Sequence, residues 1–164
     1  MKYINIGKIV NTHGIKGELR LLSDFKYKDK VFKKDFIIYI GKDKVEEKII
    51  SYRKHKNFDM ICLEGYTNIN EVLKYKGMYA FINKDDLVLD ENNYLNEDLL
   101  GIEVIVNNEV IGVVSDIEKN ANQELIVVRT SKKDYLIPYV DYFINKIDIV
   151  NRKIYVNDIK GLFD

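Results

Sequence analysis

The chain has 164 residues, enough for one ordinary domain or two small ones. With 46% hydrophobic and 32% charged residues, it has the composition of a globular protein rather than a disordered one. Twelve tyrosines against two alanines favour strands over an all-helical bundle, because aromatic side chains suit a pleated surface. The longest apolar stretches, such as 36–40, fall far short of the ~20 residues that span a bilayer.

The cellular compartment can be predicted from the cysteine content and from the beginning of the chain. Residues 1–5 lack the apolar region of a signal peptide. A single cysteine, Cys62, cannot form an internal disulfide and fits a reducing compartment. We therefore expect a cytoplasmic protein without a membrane partner.

The formal net charge is zero, but the charge is unevenly distributed along the chain. Residues 1–85 carry 18 basic and 11 acidic residues, whereas residues 86–164 carry 8 basic and 15 acidic residues. The two halves therefore have net charges of +7 and −7. This opposition predicts two domains with different partners, the first of them facing an anionic partner. The alternative is that the two halves merely attract each other.

Residues 1–85 are predicted to form a small β-barrel with a short helix. Asn68 and Glu71 have the spacing of a capping box, which predicts a helix that begins there and ends before Gly77. Alternation of apolar and polar residues, together with glycine-containing turns, predicts strands at 4–11, 18–22, 36–40, 45–52, 59–64 and 78–82.

An acidic, asparagine-rich segment, residues 86–93, is the predicted linker to a second domain, residues 94–164. Three hairpins are predicted in this second domain, with turns at 107–108, 130–134 and 151–152. Because separate hairpins are not stable in water, we expect them to close into a second small barrel or a sandwich. The predicted fold class is all-β: two small β-barrels in series, with one or two short helices.

The sequence gives no positive support for an enzyme. The two histidines and one cysteine do not show the ligand spacings of a typical zinc site. No phosphate-binding loop and no dinucleotide fingerprint is present, so we expect no cofactor. An active site near His13 and His55 remains an alternative that would require a concave pocket and a third polar partner.

The first candidate for contact with nucleic acid is the turn framed by Gly14 and Gly17. Glycines allow the backbone of a turn to approach a partner closely. His13 lies next to this turn, and Lys16 and Arg20 can present cations to a phosphate. The alternative is a turn with a purely structural role.

The second candidate is the basic run 53–58, predicted to be a loop between two strands. It contains Arg53, His55, Lys56 and one aromatic residue, Phe58. Such a run can contact RNA phosphates and stack on a base. A loop that is simply solvated is the alternative.

The candidates in the second half are apolar and aromatic. Tyrosine is favoured at protein interfaces, since it buries a large area at low entropic cost. The alternative is that these side chains fill a small core that lacks tryptophan. The candidate protein-binding residues are Tyr94, Leu95, Tyr135, Pro138, Tyr139 and Phe143.

Taken together, several stretches resemble the RimM family of ribosome maturation factors. The resemblance covers essentially the whole chain in the order that is usual for the family. The longest motif is Gly7-Lys8-Ile9-Val10-Asn11-Thr12-His13-Gly14-Ile15-Lys16-Gly17-Glu18-Leu19-Arg20. The others are residues 93–101 and, at the end of the PRC-barrel domain of the family, residues 136–141, Ile147-Asp148 and Gly161-Leu162-Phe163.

The resemblance implies a non-enzymatic assembly factor with a translation-factor-like N-terminal barrel and a C-terminal PRC barrel. It further implies binding to the immature small ribosomal subunit near its head, support of rRNA processing, and contact with the nineteenth protein of that subunit. The paired tyrosines of the family at the entrance to the PRC domain match Tyr94 and Leu95, so the second tyrosine is replaced here. The Gly-Ala-Asn-Asp turn of the family appears as Asn120-Ala121-Asn122-Gln123.

Charge and resemblance together assign a partner to each domain. We expect the basic first domain to face small-subunit rRNA and the acidic second domain to face the basic head protein, in a protein that acts as a monomer. The alternative is a generic PRC-type protein-protein interaction module without a ribosomal role.

Overall fold

The computed structural model describes residues 1–163 and contains two compact units, of which the first ends at Val88 and the second begins at Leu89. Both units consist mainly of strands, which confirms the all-β prediction. In the described part of the chain, no helix is long and apolar enough to cross a membrane.

The first unit is a closed barrel of six strands. Its strands run antiparallel to their neighbours, in the order β1-β2-β5-β4-β3-β6 with β6 back against β1. Irregular registers in the two longest strands allow them to bend around the barrel. The strands are β1 (Tyr3–His13), β2 (Glu18–Leu22), β3 (Ile37–Ile40), β4 (Val45–His55), β5 (Phe58–Leu63) and β6 (Tyr79–Asn83).

Aliphatic side chains from all six strands fill the barrel. Alternate residues of each strand point inward, so one apolar set per strand is enough to build this core. The fully buried members include Ile6, Ile9, Leu19, Leu21, Ile38, Ile40, Ile49, Ile61, Leu63 and Ile82.

Two short helices, α1 (Lys28–Val31) and α2 (Ile69–Val72), complete the first unit. The predicted capping box of α2 is present. The Asn68 side chain accepts hydrogen bonds from the backbone of Asn70 and Glu71, and the Glu71 carboxylate accepts one from the Asn68 N–H at 3.1 Å. The N–H of Ile69 also donates to the carbonyl of Ile15 at 2.9 Å, which holds α2 against the β1–β2 turn.

The prediction of a loop at residues 53–58 was wrong. Strand β4 continues through Arg53 to His55, and only Lys56 and Asn57 form the turn before β5. The outer side chains of β4 face water, so the loss of apolar alternation does not interrupt its hydrogen bonding to β5. The basic residues of this run are therefore held on a strand.

The second unit is a six-stranded sheet in the order β10-β9-β8-β7-β12-β11. All neighbours are antiparallel except β7 and β12. All six strands contribute to one apolar core, which includes Val104, Ile126 and Ile154. The strands are β7 (Glu103–Val106), β8 (Glu109–Lys119), β9 (Glu124–Arg129), β10 (Asp134–Pro138), β11 (Ile144–Asp148) and β12 (Lys153–Val156).

The three hairpins predicted for this unit are confirmed. Asn107 and Asn108 adopt φ angles of 51° and 66° in the first turn, as expected for a tight hairpin. Arg152 adopts a φ of 56° in the third. Sequence analysis thus located the three turns correctly.

Candidate functional site

The two candidate segments of the first unit converge at one edge of the barrel. His13 ends β1 and pairs with Glu18, whereas His55 ends β4 and pairs with Phe58. Because β2 and β5 are neighbours, the two turns lie side by side, and the centroids of the imidazole rings of His13 and His55 are 5.8 Å apart. We call the surface formed by His13, Arg20, Arg53, His55 and the lysines of the adjoining turns, Lys16 and Lys56, the basic edge.

Arg20 is held in place within the basic edge. Its Nη2 donates a hydrogen bond to Nδ1 of His13 at 2.7 Å, and its guanidinium lies 5.0 Å from the ring centroid of Phe58. A guanidinium can only donate, so Nδ1 of His13 must accept. The neutral His13 ring therefore carries its proton on Nε2. The Nε of Arg20 is buried and has no hydrogen-bond partner among the described residues, 1–163.

Arg53 is committed to Glu18, a residue that the sequence analysis did not single out. Nε and Nη2 of Arg53 donate to the two carboxylate oxygens of Glu18 at 2.9 and 2.7 Å. This bidentate pair spans β5 from β4 to β2. The hydrogen bond from Arg53 lowers the pKa of the Glu18 carboxyl, which therefore stays ionised at neutral pH.

The pKa of His55 lies below its usual value of 6.5. Desolvation of the ring is the main cause, and the cationic neighbours Arg53 and Lys56 act in the same direction, followed by His13 and Arg20. His55 is therefore neutral at pH 7. Within residues 1–163, no hydrogen bond to its ring nitrogens is present.

Lys16 and Lys56 are the uncommitted cations of the basic edge. Both are exposed in turns, and neither forms an ion pair with another part of the described chain. Gly14 is exposed in the same turn as Lys16, whereas Gly17 is buried and packs against the backbone of Asn68. The turn thus has one end fixed on α2 and a free tip that carries Lys16.

A buried carboxylate, Asp59, was also missed. It lies on β5 with no exposed surface, accepts a hydrogen bond from the Tyr52 hydroxyl at 2.6 Å, and forms an ion pair with Lys28 at 2.8 Å. Burial and this hydrogen bond raise the pKa of Tyr52 to about 12. A single acidic residue inside the apolar run 58–63 was the available signal. Asp59 ties α1 to the strands that carry the basic edge.

The candidate protein-binding residues of the second unit are less exposed than the candidate RNA-binding residues of the first unit. Leu95 is buried, and the Tyr139 hydroxyl donates to the hydroxyl of Tyr94 in a long hydrogen bond of 3.4 Å. The Tyr135 ring meets Phe163 edge-on at 5.3 Å. The half-buried candidates, all in contact with the core or adjoining it, are Tyr94, Tyr135, Pro138, Tyr139 and Phe143.

Most of these candidate residues therefore help to fill the core of the second unit, which is the alternative stated for them in the sequence analysis. Next to these residues lie apolar side chains that are exposed, namely Leu136 at 50%, Val140 at 48% and Tyr142 at 67%. The sequence analysis did not choose among the residues of 135–144 by exposure. Their position at the surface makes them the better candidates for contact with a partner.

The described part of the chain offers no group of side chains that could bind the metal of a metal-dependent active site. Residues 1–163 contain no group of three or more histidine, cysteine or acidic side chains that could hold a metal ion. At the basic edge, the side chain hydrogen-bonded to His13 is an arginine, Arg20, and the nearby Glu18 carboxylate accepts hydrogen bonds from Arg53. This arrangement is suited to binding an anion.

Fold and site define a class of protein: a tandem of two β-domains, the first of which is a closed barrel with a cationic, histidine-containing edge. The sequence model of the RimM N-terminal domain matches residues 4–87, and that of the RimM PRC barrel domain matches residues 96–162. The chain belongs to the RimM family.

Full-length relatives agree with this assignment. A ribosome maturation factor RimM of an Exiguobacterium species is 37% identical over 169 residues, which cover 100% of this chain and 98% of the relative. The Streptococcus mutans protein of the same name is 39% identical over 170 residues, covering 100% and 99%. The solution structure of the RimM N-terminal domain from Thermus thermophilus is 17% identical with a TM-score of 0.47 and covers 54% of this chain and 98% of that domain. A Pseudomonas aeruginosa RimM crystal structure is 20% identical with a TM-score of 0.42, covering 95% and 97%.

Proposed function

We propose that the protein is a cytoplasmic ribosome assembly factor that binds the immature small ribosomal subunit near its head and supports the processing of small-subunit rRNA, without catalysing a reaction. The observation that carries this proposal is the 37–39% identity, over essentially the full length, to proteins named ribosome maturation factor. In this role neither domain has to supply a catalytic group. The protein contributes by binding to its partners.

The basic edge is the proposed rRNA-binding surface. Lys16 and Lys56 extend from turns into water, where ammonium groups can reach phosphates without first breaking an ion pair. Between them, His13 and His55 present imidazole rings beside Arg20. Each phosphate contact by a lysine releases counterions, so binding through this edge would weaken as salt is raised.

The second unit is the proposed site for the head protein, the nineteenth protein of the small subunit. This half of the chain has a net charge of −7, which suits a basic ribosomal protein and would chiefly speed and orient the encounter. Exposed Leu136, Val140 and Tyr142 could supply the apolar contact. On this proposal a single copy of the chain carries both contacts and acts as a monomer.

Co-sedimentation with ribosomal particles tests the proposal. The protein is mixed with immature small subunits, mature small subunits and complete ribosomes, at low and at moderate salt. We expect retention on free small subunits, most strongly on immature ones, and loss on complete ribosomes. No association with any particle would overturn the assembly role and favour the generic interaction module.

Two double variants test the assignment of the basic edge. K16A/K56A removes the two uncommitted cations, and K34A/K42A removes the same charge from exposed positions outside it. Lys42 precedes the start of β4 whereas His55 ends it, so about 30 Å of strand separate them. K16A/K56A should lower the slope of log affinity against log salt by about 1.5, since each phosphate contact contributes about 0.7–0.9. Equal slopes for both variants would refute the RNA-facing role of this edge.

Contact with the head protein is tested by a pull-down with that purified protein. Tyr142→Ala should weaken the interaction at least tenfold if this exposed ring is buried in the complex. Val150→Ala, at an apolar residue that is 54% exposed in the β11–β12 turn, is the control. A Tyr142→Ala variant that binds as well as the control would place the contact elsewhere.

A further inference from the structure

We propose that the basic edge binds a phosphodiester group of RNA and that His55 takes up a proton when it does, so that RNA binding strengthens as the pH falls. This inference rests on the proposed RNA-facing role and adds the chemistry of the contact. Because His13 and His55 are the only histidines, they are the only side chains whose ordinary titration falls between pH 5 and 8, apart from a perturbed thiol.

The charged groups around the two imidazole rings are mostly cationic, which favours the binding of an anion. Cations face His55 from three elements: Arg20 on β2, Arg53 on β4 and Lys56 in the β4–β5 turn. One carboxylate faces the pair, Glu18 on β2, and both of its oxygens already accept hydrogen bonds from Arg53. A proton on His55 therefore adds to a cationic cluster in the free protein, whereas a bound phosphate would supply the missing negative charge.

The hydrogen bond of His13 determines which ring takes the proton. Nδ1 of His13 accepts from Arg20 at 2.7 Å, so a proton at this atom would break the bond and place two cations in contact. His55 carries no such constraint, since its ring nitrogens have no hydrogen bond within residues 1–163. His55 can therefore direct a newly protonated nitrogen towards a phosphate oxygen without breaking a hydrogen bond within residues 1–163.

Proton linkage fixes the direction of the effect. In free protein the pKa of His55 lies below 6.5, and a phosphate beside the ring raises it. Affinity should therefore be constant above the pKa of the complex, rise as the pH falls, and level off below the pKa of the free protein. For one imidazolium about 4 Å from a phosphate in surroundings close to bulk water, the total gain is about fivefold.

The test measures the affinity of the full chain for a short unstructured RNA by fluorescence anisotropy between pH 5.5 and 8, at constant ionic strength. We expect binding about fivefold tighter at pH 5.5 than at pH 8. His55→Gln should abolish this pH dependence. His13→Gln should retain it, because the amide oxygen of glutamine can still accept the hydrogen bond from Arg20.

A second readout follows the proton itself. Calorimetry in two buffers of different ionisation enthalpy should show uptake of up to one proton per RNA bound, and none for His55→Gln. RNA binding without pH dependence, or with the same dependence in His55→Gln, would overturn proton uptake and leave the RNA-facing role intact. No RNA binding at any pH would overturn both.

Discussion

Replacing Gly17 by alanine should destabilise the first unit by about 3 kcal/mol, because this position requires both a positive φ and the absence of a Cβ. Its φ of +88° costs an L-residue about 1–2 kcal/mol. A Cβ would also lie 2.8 Å from the carbonyl oxygen of Asn68, so Asn68 would have to move. That movement weakens the 2.9 Å hydrogen bond from Ile69 to Ile15 and the cap of α2, at about 1 kcal/mol each. Because the surrounding backbone can relax in part, we expect the total loss of stability to lie near the lower end of the sum of these three contributions.

Gly14→Ala is the matched control for this prediction. Gly14 lies in the same turn with a φ of +74°, but a Cβ there would meet nothing within 4 Å. Only the backbone term remains, about 1 kcal/mol. Urea denaturation of the full chain measures both changes, and native-state hydrogen exchange at the amides of β1 and β2 assigns them to the first unit. Equal losses in the two variants would refute the close contact with Asn68.

Three further predictions concern the polar contacts of the first unit. Asp59→Asn leaves Lys28 without its buried partner and should lower the free energy of unfolding, measured in urea, by about 2–3 kcal/mol. The loss is moderated because the Lys28 side chain is partly exposed to water. A loss under about 0.5 kcal/mol would contradict a buried ion pair. A double-mutant cycle with Glu18→Gln and Arg53→Met should give a coupling of about 1 kcal/mol, since Arg53 is 48% exposed. This coupling should be present above pH 4.5 and be lost as the pH falls through the lowered pKa of Glu18, so an unchanged value at pH 3 would count against it. Because folding raises the pKa of Tyr52 from 10.0 to about 12, stability should fall as the pH rises between these values, and Tyr52→Phe should reduce that slope in urea denaturation.

The local features of the fold were predictable from the sequence, because a few neighbouring residues determine them. Asn107 and Asn108 tolerate the positive φ of a tight hairpin, and both adopt it. Asn68 and Glu71 form the capping box that their spacing predicts. The helix α1 was not predicted, since four residues between two lysine-rich segments carry no periodic signal.

The composition of the site was predictable only in part, because its hydrogen bonds join residues that are far apart in sequence. Arg53 and Glu18 are 35 positions apart and meet only because β2 and β4 both pair with β5. The sequence suggested Arg53 as a free cation, whereas its Nε and Nη2 donate to the Glu18 carboxylate. Similarly, His13 and His55 were chosen from two separate segments, and only the barrel order places their rings side by side.

The division of the basic edge into paired arginines and free lysines explains how a chain of zero net charge can present a cationic surface without disturbing its own fold. Arg20 and Arg53 use their directional hydrogen bonds within the protein, on His13 and Glu18, and so maintain the shape of the edge. Lys16 and Lys56 are flexible point charges that can move between phosphates while that shape is kept. On the proposed function, such contacts would make rRNA binding sensitive to salt and tolerant of base sequence. Selection of one place on the subunit then requires a second contact, and the acidic second unit with its exposed Tyr142 is the part of the chain available to make it.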